Sequence, residues 1–120
     1  MKDLALLLDE LLIRGCDDWV MAAEVAWVVR SNGQAETEEG IRSISLEIVR
    51  AALERGLMNI GDVTDGGFLG WDLTPDEALK RAGRDWELLG HSPDVGDLFW
   101  LQNTQEGDGR AGEVSQHARD

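Results

Sequence analysis

Through the first 56 positions of this chain, apolar residues recur at three- and four-residue spacing; from Leu57 they alternate. That change of period constrains the fold most, because a helical stripe cannot lie flat in a sheet and an alternating one cannot cover a helix face. Leu4, Leu7, Leu8, Leu11 and Leu12 make one stripe, widened by Ala5 and Ile13, and predict a helix over 2–14 with Gly15 at its C-terminal cap. Asp17 or Asp18 offers an N-cap to a second helix over 17–31, apolar on most sides and therefore mostly buried. A polar connector follows, in which Thr37 can cap a short turn. Ile41, Ile44, Ile48 and Ala52 then predict a third helix over 43–56, capped by Ser43 or Ser45 and stopped by Gly56.

The alternating segment contains a paired turn signal, Thr64-Asp65-Gly66-Gly67, and predicts a hairpin with strands at about 57–62 and 68–72. Thr74-Pro75-Asp76-Glu77 has the residues of a capping box with proline in the first turn, so another helix runs from there to Gly90. Residues 94–104 fit either a short helix or a buried strand. From Gln105 the chain is glycine-rich and polar with little to bury, and the expectation is a flexible tail over 105–120 after a single domain over 1–104.

Helix, helix, polar turn, helix and hairpin, over 2–14, 17–31, 43–56 and 57–72, resemble the element order of a winged helix-turn-helix domain. The run from Ile48 to Leu57 is similar to the end of a recognition helix entering its wing. The resemblance covers about the first 72 residues and implies an α+β, mostly helical fold: a winged-helix-like three-helix core, a β-hairpin wing, a C-terminal helix and a short accessory segment. It also implies base-reading residues on the third helix and a basic wing. Here that helix sets Arg42, Arg50 and Arg55 against Glu47 and Glu54, and the wing carries Asp62 and Asp65 with no Lys or Arg.

Charge points the same way. Asp and Glu number 24 against 11 Lys and Arg, a formal net charge of −13. Phosphate contacts supply most of the affinity for nucleic acid, so tight duplex DNA binding is not expected, whereas a basic protein is attracted. The single cysteine excludes an internal disulfide, and the lack of a long apolar run argues against a membrane span; cytoplasmic residence is the expectation.

Catalytic and metal chemistry find no support. His91 and His117 have no partner at ligand spacing. Cys16 precedes Asp17 and Asp18, which raise a thiol pKa. The stretch from Asp62 to Gly67 lacks the spacing of a calcium loop, and no glycine-rich phosphate loop exists. No enzyme activity, metal or cofactor is expected. Of the five tryptophans, Trp27, Trp86 and Trp100 suit the core, while Trp19 and Trp71 suit an exposed interface. The expected partner-binding residues are Asp17, Asp18, Trp19, Glu38, Glu39, Asp62, Asp65 and Trp71. The partner is then a basic toxin, nuclease or nucleic-acid-binding protein, and the domain resembles in character immunity proteins, antitoxins and phosphate-mimicking inhibitors. The alternatives are a winged-helix regulator or adaptor using Arg42, Arg50 and Arg55, and a homo-oligomeric structural module, a homodimer being one form of it.

Overall fold

The computed structural model describes residues 3–119, with side chains to residue 115. It is α+β and 59% helical, with five helices and a four-stranded antiparallel sheet among the described residues. Helix α1 spans Leu4–Asp17 and buries Leu7, Leu8, Leu11 and Leu12. Its cap is Asp3, whose side chain accepts the Leu6 N–H at 3.2 Å. The helix does not end at Gly15. A methyl group there would strike the Asn103 carboxamide, so this glycine serves a close packing contact and not a cap.

The expected helix over 17–31 is divided. Asp18 is the C-cap of α1, and Val20–Met21 form a short strand, β1, before helix α2 at Ala22–Ser31. Distant pairing decides this: Val20 and Met21 lie opposite Leu101 and Trp100. Helix α3 is also longer than expected, Glu38–Glu54, and starts at Thr37, whose hydroxyl accepts the Gly40 N–H at 3.0 Å. Glu38 and Glu39 in its first turn suit the helix dipole. Ser43 and Ser45, the caps expected from sequence, lie inside it, and Ser45 is fully buried.

The hairpin forms as expected: strands β2, Met58–Thr64, and β3, Gly67–Gly70, turn through Asp65 and Gly66. Helix α4, Pro75–Leu89, has the expected capping box between Thr74 and Glu77 and ends at Gly90 in the left-handed conformation. Residues 100–103 resolve as strand β4, Trp100–Asn103, inserted between β1 and β2 to give the order β1-β4-β2-β3. The expected tail is replaced by a fifth helix, α5, at Gln105–Arg119. Propensity favoured a loose end, with Gly107, Gly109 and Gly112 in the way. Docking on α1 overrides it: Ala111 is buried, and Arg110 donates two hydrogen bonds, both 3.1 Å, to the two carboxylate oxygens of Asp9.

The core lies between the helices and one face of the sheet. Val20, Leu101 and Ile60 stand opposite one another across β1, β4 and β2 and are all buried. Phe99 is fully buried, with Trp86 6.5 Å away between ring centroids. Helix α4 adds Ala78, Leu79, Ala82 and Trp86 and packs along α3. Because side chains alternate along a strand, the other sheet face carries Met21, Trp100, Gln102, Asn59, Val63 and Phe68, and no member of that set is fully buried.

Candidate functional site

The outer sheet face is the most informative surface. Trp19, just before β1 at one edge of the sheet, meets Phe68 of β3 at the other, with ring centroids 6.5 Å apart and planes inclined at 31°. The two rings therefore reach inward over the central strands β4 and β2. Backbone shape helps: a Cβ on Gly61 would collide with the Leu69 carbonyl oxygen and approach the Gly70 Cα at 2.8 Å, so β3 comes down on this side of β2 where only glycine fits.

A cavity opens on each side of the aromatic pair. One, of about 350 Å³, is lined by Cys16, Asp17, Asp18, Trp19, Gln102, Asn103 and Asp108. The other, of about 500 Å³, takes residues of both sheet faces, Asn59, Phe68 and Gln102 from the outer one and Met58 and Ile60 from the core one, together with Trp71, Asp72 and Leu73. The first is acidic. Asp18 accepts its neighbour Trp19's N–H at 2.7 Å, and Asp108 accepts from Asn103 Nδ2 at 3.0 Å. Asn103 Nδ2 also donates to the Leu12 carbonyl at 2.8 Å, which ties β4 to α1. The Cys16 thiol donates weakly to Asp108 at 3.6 Å. Its pKa is raised, first by desolvation, then by the Asp108 hydrogen bond and by the charges of Asp108 and Asp17. That is the direction expected from sequence, and it keeps the thiol protonated.

The remaining expected residues are scattered. Asp62 and Trp71 come together around Arg81, whose guanidinium lies 3.8 Å above the Trp71 ring and 4.0 Å from Asp62. Trp71 is half-buried rather than exposed, because Arg81 covers it. Trp27 departs from expectation in the opposite sense: it is 49% exposed, with Arg14 stacked 4.7 Å from its ring centre. Trp86 is in the core as expected, and Trp100 is half-buried on the outer sheet face. Asp65 lies at the hairpin tip and is exposed. Glu38 and Glu39 line a separate small cavity with Arg42, Trp86 and His91, and Glu38 lies 3.9 Å from Arg30.

The three arginines do not make one surface. Arg50 is engaged by Asp76 of α4 at 2.7 Å, Arg42 is half-buried beside Trp86, and Arg55 is the C-cap of α3. The outward stripe of α3, at helical spacing, reads Glu39, Ser43, Glu47, Arg50 and Glu54. Sequence inspection missed Phe68, Gln102, Asn103 and Asp108 as site residues. Nothing local marks them, since they join Trp19 and Asp17 only through the β1–β4 pairing and the docking of α5.

No group of His, Cys, Asp and Glu side chains suited to a metal ion occurs among the described residues, and none of their helices is long and apolar enough to cross a membrane. The chain matches no protein-family model, no curated protein and no solved structure.

Proposed function

We propose that this domain binds a basic protein through an acidic surface and carries out no chemistry of its own. The observation that carries the proposal is the set of carboxylates around the Trp19–Phe68 pair. Asp17, Asp18 and Asp108, with Asp65 at the hairpin tip, form no ion pair with any Lys or Arg among the described residues. Charges left without counter-ions in a chain of net charge −13 raise the field a cationic partner meets. An aromatic pair at the centre of such a rim supplies the apolar contact that charge alone lacks. Immunity proteins, antitoxins and phosphate-mimicking inhibitors are the class this arrangement fits.

The winged-helix regulator is the second reading. The order α1, α2, α3, hairpin favours it, but the outer stripe of α3 holds three glutamates to one arginine, and α4 lies along a flank of that helix. The test is capture from native cells at low salt, followed by reconstitution with the purified, identified partner. The expected partner has a high isoelectric point, and its affinity falls as salt rises, because the Debye length shrinks from about 30 Å at 0.01 M to about 10 Å at 0.1 M. Sequence-specific duplex DNA binding in physiological salt would promote the regulator instead.

A further inference from the structure

We infer that the open edge of β3 takes a β-strand of the partner, one whose uncharged middle carries a Lys or Arg at each end. This rests on the reading of the domain as a binder of basic proteins and adds the manner of docking. Main-chain geometry defines the edge. Trp71 donates its N–H to the Ile60 carbonyl at 3.1 Å, and Leu69 stands opposite Asp62. In an antiparallel ladder alternate residues turn their N–H and C=O groups to the same side, so Leu69 and Trp71 face β2 while Phe68 and Gly70 face away from it. β3 is the last strand of the sheet, and those outward groups meet no partner among the described residues. Edge strands in folded proteins commonly carry a lysine, a proline, a bulge or very few residues as a guard against pairing. β1, the opposite edge, has only two residues. β3 reads Gly67-Phe68-Leu69-Gly70, with no charge and no proline, and its Leu69 is 62% exposed.

Charge selects the occupant. Asp65 precedes β3 and Asp72 follows it; both are exposed, and neither forms an ion pair with a Lys or Arg among the described residues. A second copy of this chain, paired antiparallel through β3, would set each Asp65 near the other copy's Asp72. Like charges would then meet at both ends of the new ladder, between two molecules of net charge −13. A strand with a cation at each end meets opposite charges instead. Between the ends, Phe68 and Leu69 become the cross-strand neighbours, which favours β-branched or aromatic residues in the middle of the occupant. The main-chain bonds supply affinity that any extended segment could use, and the flanking charges supply the choice of partner.

The experiment selects displayed random peptides on the intact protein and uses a synthetic copy of the most enriched one as the probe. Enriched sequences should hold Lys or Arg on both sides of a β-branched or aromatic stretch. Amide hydrogen exchange then reads the docking directly. In the free protein the Phe68 and Gly70 amides should exchange faster than those of Leu69 and Trp71; with the probe bound they should slow by about tenfold or more. Gly70→Pro, which removes an outward N–H and none of the β2–β3 bonds, should weaken the probe by about tenfold. Asp72→Asn suits the left-handed backbone at that position, φ 57°, and removes only the charge. Its loss should be about threefold at low salt and should shrink as salt rises. Thermal melts establish that both variants are folded. A basic probe that binds and leaves Phe68 and Gly70 exchanging as before overturns the edge, while the basic-partner reading stands; a selection that enriches nothing does the same. Slowed exchange at both amides when the protein is concentrated without peptide makes the occupant a second copy and overturns the proposal. Enrichment of acidic or neutral peptides overturns both readings.

Discussion

Gly107 and Gly109, two residues apart in α5, behave oppositely as packing sites. A Cβ on Gly107 would strike the Leu57 carbonyl oxygen and lie 3.3 Å from Leu12, whereas one on Gly109 would meet nothing within 4 Å. Gly107→Ala should therefore cost about 1–3 kcal/mol through overpacking. Gly109→Ala should gain about 0.5–1 kcal/mol, since glycine is a poor residue inside a helix. Urea unfolding midpoints check both, and equal shifts would mean α5 is not held against α1 and Leu57. Cys16 offers a second residue-scale test. Desolvation, then the Asp108 hydrogen bond and the charges of Asp108 and Asp17, hold its pKa above the ordinary 9.0. The thiol should alkylate slowly with iodoacetamide near neutrality, the rate rising only in alkali, and Asp108→Asn should move that rise to lower pH. A raised thiol pKa favours the folded state at pH below the unfolded value, and that contribution fades as pH climbs through the folded one.

Among elements, α5 matters most. Removing residues 105–120 strips Ala111 from the α1 surface and leaves Asp9, whose side chain is only 15% exposed, without Arg110. The melting temperature should fall by about 4 °C or more. An unchanged melt would mean the helix contributes nothing to the fold. That element was invisible in the sequence, and β4 was one of two readings left open over 94–104, for one reason. Each is decided by a partner about 80 or more residues away, Leu101 by Val20 and Arg110 by Asp9, and four residues of strand carry no periodicity of their own. What was legible is what local chemistry decides: the Thr74–Glu77 capping box, the turn at Asp65-Gly66, and the leucine stripe of α1. The hairpin was read by its turn, but its place in a larger sheet was not. Of the candidate site, Asp17, Asp18 and Trp19 were legible as acid beside an aromatic; Phe68 and Asp108, which complete it, were not.

At the scale of the whole molecule, a net charge of −13 makes self-repulsion a standing cost of compactness. Apart from Arg110–Asp9, the ion pairs among the described residues are partly exposed on both sides, so salt weakens little of value while it screens the repulsion. Raising sodium chloride from about 0.01 M to about 0.3 M should raise the melting temperature, and a fall would show that the pairs dominate. The insertion of β4 between β1 and β2 has a consequence for the order in which the molecule is made. A ribosome delivers Val20 and Ile60 long before Leu101, so the growing chain carries a two-residue strand and a hairpin that cannot reach each other. Only when residues 100–103 emerge can the four strands join, and such late, distant pairing is slow. Nascent chains stalled with residues 1–95 exposed should be digested by protease, whereas those extended past Asn103 should resist it. Until then the growing polypeptide presents open strand edges to whatever chaperone or neighbour it meets.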